Sequence, residues 1–298
     1  QSRSTLDVGK DLNLHTDTGD LQLDGSVLAN GRIDARAGGL LQLKAPVASG
    51  RDITLVSATE RVQTGGDVLA LGTLTIAGPQ IQANAALQAG GALNLNADDI
   101  LLRGPTQTES TLTALATHTL EAAGDIAATG DIVMRTGDGR LQVTNIATAG
   151  NLTLSAGTAL QTGTVISLQA TETTTHTGTV TVAGNLASLA RTIDAQAAVE
   201  VGGTARLVAE GGDLKLKGIS AGSTLQLAAQ GRLTNAGTLQ SGAHVELLAG
   251  QDIDQQGATS VKDSLRVLAD GKARFGGMPV VGGDYVAQVG PILQHDGD

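Results

Sequence analysis

Four triplets, Ala205-Arg206-Leu207, Leu225-Gln226-Leu227, Val245-Glu246-Leu247 and Leu265-Arg266-Val267, begin at a constant spacing of twenty residues. Each reads apolar, polar, apolar. Successive side chains of a strand point to opposite faces, so this alternation specifies a short strand with one buried side. A strand that returns at a fixed period of this size is the mark of a solenoid, in which each turn covers the one before. The same signal runs from the start of the chain. Leu12/Leu14, Ile33/Ala35, Ile53/Leu55, Leu74/Ile76 and Leu93/Leu95 follow one another in steps of 21, 20, 21 and 19 residues. The series continues less cleanly through Leu115, Ile132/Met134 and Leu152/Leu154.

A second series is offset by about half a unit: Leu21/Leu23, Leu41/Leu43, Ile81/Ala83, Ile100/Leu102, Leu120/Ala122, Leu141/Val143, Val180/Val182 and Leu214/Leu216. Shorter segments such as Val27-Leu28, Val47-Ala48, Ile146-Ala147 and Ile219-Ser220 lie between them. The expected unit is a coil of about twenty residues with two to three short strands. Helical repeats are excluded by the alternation and by Gly at most corners. Leucine-rich repeats need a recurring Asn, whereas Asn13, Asn94, Asn151 and Asn235 fall at different places in the unit. Propeller blades need roughly twice the period. The remaining solution is an all-β, right-handed parallel β-helix of roughly fourteen coils, right-handed because parallel crossovers are.

Composition agrees. Aromatics are 1% of the chain against 41% hydrophobic residues, which suits a narrow interior of stacked Leu, Val, Ile and Ala. The 41 glycines fit many tight corners that need permissive backbone angles. A net charge of −10 argues against nucleic acid and anionic membranes as partners, and the near absence of aromatics removes stacking platforms for single strands. No apolar run approaches a membrane span, so no membrane insertion is expected. The opening residues already read as a repeat unit (Gly9-Lys10-Asp11-Leu12-Asn13-Leu14), with no basic-then-apolar leader before them, as expected of a piece of a longer chain. Cysteine is absent. That suits both a cytosolic protein and an exported one threaded through a pore, and does not separate them.

The pattern blurs over residues 103–119 and 169–181, which are rich in Thr. These read as coils with polar β-branched residues, or as loops leaving the solenoid to meet a partner. Phe275 to Tyr285 interrupts the period with Gly pairs and the two aromatic residues. The expected organisation is therefore a repeat region over 1–274 and an irregular end over 275–298, a cap or boundary for an otherwise open core.

The unit Ala-Gly-Gly-Ala-Leu-Asn-Leu-Asn-Ala at 89–97, Ala-Gly-Asn-Leu-Thr-Leu-Ser-Ala at 149–156 and Ala-Gly-Gln-Asp-Ile-Asp at 249–254 resemble the repeats of filamentous haemagglutinin, a large two-partner-secreted exoprotein of Gram-negative bacteria. The resemblance covers nearly the whole chain. It implies a secreted, cell-surface β-helical shaft, exported through an outer-membrane transporter, that acts in adhesion to a host-cell surface or glycan receptor. The alternative it carries is the stick of a contact-dependent growth-inhibition exoprotein. A monomeric rod is expected. Neither the family's N-terminal secretion domain nor a C-terminal toxin domain is recognisable.

Chemistry is sparse. His15, His118, His176, His244 and His295 have no second ligand at metal spacing, and His244 alternates outward. Gly65-Gly66-Asp67 and Gly211-Gly212-Asp213 lack the continuation of a calcium-binding repeat and read as corners. Asp98-Asp99 also falls at a corner, where adjacent carboxylates diverge. Parallel β-helices do host polysaccharide-degrading enzymes, the outside alternative, but such sites need converging acids or bases and aromatic platforms. The outward acids Asp34 and Glu246 stand singly, and no nucleophile–base pair appears. Lys215, Lys217 and Arg232 are close in the unit frame and form the one basic face to weigh as a polyanion site, against an ordinary solvated ladder. No catalytic, cofactor-binding or metal residues are expected, and no cofactor.

Overall fold

A computed structural model describes residues 5–296, apart from 151, 171–172 and 183. All regular elements among these residues are strands, and all their pairings are parallel. The chain divides into two compact units, residues 1–150 and 151–298. In the first, a coil consists of the long strand Leu12–Thr16 and two short ones, Leu21–Leu23 and Val27–Ala29, before the next long strand Ile33–Ala37 begins. In the second, Ala205–Ala209, Leu214–Leu216 and Ile219–Ala221 repeat this order, and Leu225–Ala229 opens the following coil. Three strands per coil is the rule, at the upper end of the expected two to three.

Register keeps like residues in line. In the first unit Leu12, Ile33, Ile53, Leu74, Leu93, Leu112 and Ile132 pair in succession. In the second the ladder is Leu186, Ala205, Leu225, Val245, Leu265 and Tyr285. Each unit is thus a β-solenoid at roughly 20 residues per turn. The triplet alternation gives the core directly: Leu207, Leu227, Leu247 and Val267 form one inward column, each no more than 1% exposed. Burying such a side chain contributes about 1.5–3 kcal/mol. An unbroken aliphatic column therefore dominates any polar ladder on the outside.

Several sequence assignments shift once pairing is known. Leu115 is an outward residue, and the inward pair of its coil is Leu112/Ala114. The period there is 19 rather than 22, so the shorter step puts a different Leu inside. Leu154 pairs with His176 and thence Ala195, on strands whose ladder runs on to Leu214 and Leu233. Val180, grouped by sequence with Leu214, instead pairs with Val199 and then Ile219. The cause is local: nearly all described residues between 152 and 190 are strand, so few Gly corners mark the phase there. The Thr-rich segments stay in the wall. Thr106 and Thr108 of Thr106–Thr108 point inward, and Thr173–Val182 is a strand; residues 171–172 lie outside the described set. Across 275–285 the period is kept: Ser260 pairs with Val280 and Leu265 with Tyr285. The interruption seen in sequence reflects a strand shortened to Val280–Val281.

The interior is not wholly apolar. In one column Leu216, Asn235, Gln255, Phe275 and His295 succeed each other. Asn235 Nδ2 donates to Gln255 Oε1 at 2.8 Å, and Gln255 Nε2 donates to the carbonyls of Gly237 and Gly257 at 3.0 and 2.9 Å. These bonds offset most of the cost of burying two amides. Below them Phe275, fully buried, stacks on His295 at 5.4 Å, with Tyr285 edge-on at 6.5 Å. Burial pushes the Tyr285 hydroxyl above its ordinary pKa.

Candidate functional site

With a wall of short strands and an aliphatic interior, functional groups can sit only at corners and on outward ladders. The corner acids share one arrangement. Asp11, Asp20, Asp52, Asp67 and Asp99 in the first unit each accept, through Oδ1, a backbone N–H of the next coil at 2.8–3.1 Å: those of Arg32, Leu40, Thr73, Ala86 and Thr119. Asn185, Asp213 and Asp252 do the same in the second, toward Thr204, Arg232 and Lys272 at 2.8–2.9 Å. The residue before the donor is usually Gly (Gly31, Gly39, Gly72, Gly203, Gly231, Gly271), where a Cβ would collide with the clamping oxygen. The side chain thus supplies a partner for an N–H at the corner, on the residue just before a strand in every case but Thr119, which lies within Leu112–Ala122. The sequence carried this signal as an Asp or Asn followed 19–21 residues later by the donor. It escapes a search within one unit because it links two.

These clamps account for the residues singled out as chemistry. Asp67 and Asp213, from the two Gly-Gly-Asp corners, are clamps. So is Asp99, while Asp98 accepts the Thr117 hydroxyl at 3.0 Å. Lys272 N–H and then Arg232 hold the Asp252 carboxyl below its ordinary pKa. A carboxyl whose folded pKa is depressed stabilises the fold above the unfolded pKa, and this is lost as pH falls through the folded value. Asp252→Ala should lower stability at pH 7 by about 1 kcal/mol, while Asp252→Asn, with the acceptor that Asn185 already provides, should stay near wild type and unfold less steeply in acid. Urea titrations at pH 7 and pH 3.5 read both; identical acid loss in Asp252→Asn and wild type rejects the clamp's role.

Outward ladders neutralise the remaining candidates. Arg206 Nε donates to Gln226 Oε1 at 2.9 Å, Gln226 Nε2 to Glu246 Oε2 at 2.8 Å, and Arg266 to Glu246 Oε1 at 2.8 Å, as the expected neighbourhood of Glu246 and Arg266 requires. Asp34 is ion-paired with Arg36 at 2.8 Å. In the basic face, Arg232 pairs with Asp252 at 3.1 Å and Lys215 sits in register beside Asp194, so two of the three cations have an acidic neighbour. In the first unit Gln22, Gln42, Gln63 and Gln82 form an outward glutamine ladder.

The histidines stay apart. His15 contacts Asp17 at 2.7 Å, His118 contacts Asp138 at 2.8 Å, and His244, exposed as expected, contacts Ser264 at 2.8 Å. The Asp138 contact raises the His118 pKa. His176 is buried, which the sequence reading missed. Among the described residues no three His, Asp or Glu side chains gather as a metal set. A hollow lined by Asp254, Gln256, Arg274, Gly276 and Asp296 holds two carboxylates and a guanidinium. Arg274 is paired with Asp296, and Gln256 Nε2 donates to Asp254 Oδ2 at 2.8 Å.

What the geometry defines is a class: a repeat protein whose outward residues bind neighbouring coils. The haemagglutinin repeat model matches residues 135–171, 147–218 and 216–274, which together with the β-solenoid is consistent with a filamentous haemagglutinin-type repeat region. No curated protein matches the chain, and no solved structure does.

Proposed function

We propose that this chain is a shaft segment of a large secreted bacterial surface adhesin, exported through an outer-membrane transporter and presenting its outward ladders for attachment to host cells or matrix. The reading is of a structural, non-enzymatic protein. One observation carries it: haemagglutinin repeats run in tandem over 135–274, in solenoid coils whose polar groups serve coil-to-coil bonding. Family repeats of this type belong to secreted surface exoproteins, which supports a location outside the cell.

The test is direct. Beads coated with the purified chain are expected to bind cultured epithelial cells above beads coated with the same chain denatured in acid. Binding equal to that control removes the adhesin role for this segment. If antibodies to the chain then label intact cells of the source bacterium and block killing of neighbouring bacteria in mixed culture, the toxin-delivery stick takes its place. Cleavage of a polysaccharide panel by the purified chain overturns the non-enzymatic reading.

A further inference from the structure

The second unit holds one coil whose interior is unlike the rest. Over residues 173–190 the inward positions include Thr174, His176 and Ser188, which are 0%, 3% and 2% exposed. Their neighbours above and below are aliphatic. His176 lies between Leu154 and Ala195, Ser188 between Leu168 and Leu207, and Thr174 is followed by Ile193. Thr174 Oγ1, His176 Nδ1 and Ser188 Oγ have no hydrogen-bond partner. The other large polar side chains in this interior, Asn235 and Gln255, are bonded to each other and to corner carbonyls. Three unpaired buried groups in a single slice weaken this layer of the stack, since each carries a desolvation cost that no partner returns.

We propose that this coil is an acid-operated weak point, opening when His176 takes up a proton inside the aliphatic interior while coils farther along the unit stay closed. A cation there has no partner on its own strand, Thr173–Val182. Among the described residues of the strands packed against it, Leu152–Ala170 and Asn185–Ala190 carry no titratable side chain, as their sequences show. Thr192–Ala195 contributes Asp194, an outward residue beside Ala195, and Val199–Val201 contributes Glu200, which is exposed. Arg191, at the corner before Thr192, is exposed and of the wrong sign. Burial therefore prevails over Asp194, and holds the folded-state pKa of His176 down at about 4.

The direction follows from linkage. A basic group whose folded pKa lies below its unfolded value binds more protons when the coil is open. Stability is then complete above the ordinary imidazole pKa of about 6.5 and falls between that value and the folded one. The opening equilibrium should rise about thirty-fold between pH 8 and pH 5 from this residue alone. In that window Asp252, whose carboxyl is held below its ordinary pKa, stays ionised, so its acid loss falls at lower pH.

Hydrogen–deuterium exchange of the full chain, corrected for intrinsic rates, reads the opening directly. At pH 5, peptides from 152–195 should open at least ten-fold more than at pH 8, and peptides from 225–269 should not. In His176→Leu, which extends the aliphatic column, the rise should disappear; in His118→Asn, at an exposed histidine, it should persist. A rise of equal size in His176→Leu overturns the proposal. The unmodified chain gives a second reading by NMR with labelled histidine. A His176 ring that titrates between pH 6 and 7 in the folded protein overturns the proposal, whereas one still neutral at pH 5.5 supports it.

Discussion

Leu227→Asp will unfold the coils on either side of it, while Gln226→Asp, one residue away, will leave the fold nearly unchanged. Leu227 is fully buried, paired with Leu207 above and Leu247 below. Removing it forfeits about 2–5 kcal/mol of packing, and the carboxylate that replaces it has no partner in an aliphatic column. The sum exceeds about 5 kcal/mol, enough to melt the neighbouring coils in a stack whose stability is a sum of nearest-neighbour terms. Gln226 faces out, and its two bonds, to Arg206 and Glu246, are exposed or half-exposed. Aspartate is too short to bridge both and adds a like charge beside Glu246, a change of about 0.2–1 kcal/mol. Limited proteolysis with mass spectrometry should find new cuts between roughly 205 and 250 in Leu227→Asp alone. Equal melting shifts for the two variants refute the inward–outward assignment.

The second large effect comes from a residue with no side chain. A Cβ on Gly242 would fall on the carbonyl oxygen of Gly222, and one on Gly222 would fall on that of Gly202. These three glycines stand one coil apart in a corner where successive backbones touch. The obstacle is main chain, itself fixed in a ladder, so it cannot swing aside as a side chain would. Gly242→Val should therefore cost about 3 kcal/mol, the upper end of overpacking, or separate the two coils at that corner. Gly19 gives the control: a Cβ there meets nothing within 4 Å, and Gly19→Val should be within about 0.5 kcal/mol of wild type. Thermal melts of the two variants decide it, and a Gly242→Val protein as stable as Gly19→Val removes close approach as the reason for the glycine.

That reason differs from the one composition suggests. Abundant glycine reads as a need for unusual backbone angles, yet Gly218, at φ 140°, is the one described residue with positive φ. The angles at other corners are open to any residue; what excludes a side chain is the coil 20 residues away. The corner aspartates carry the same lesson. Asp67, Asp99 and Asp213 were visible as corner residues, but their task is to hold an N–H of the following turn. Phase was lost between 152 and 190 for a related reason. Periodicity is read from corners, and a nearly continuous strand offers few, so Val180 and Leu214 were grouped on one ladder although they stand on two.

The sequence by itself determined the solenoid: a two-residue alternation fixes which side chains are inside, and a twenty-residue recurrence fixes that they stack. Both are local properties of the chain, and both survive wherever corners mark the phase. Only the tertiary structure decided which atoms meet across coils: the Gly that must yield to a carbonyl, the Asp that reaches an N–H, and the His176 ring shut among aliphatic neighbours. Those contacts join residues about 20 apart along directions that side-chain alternation does not encode, so they exist only once one turn has been laid on another.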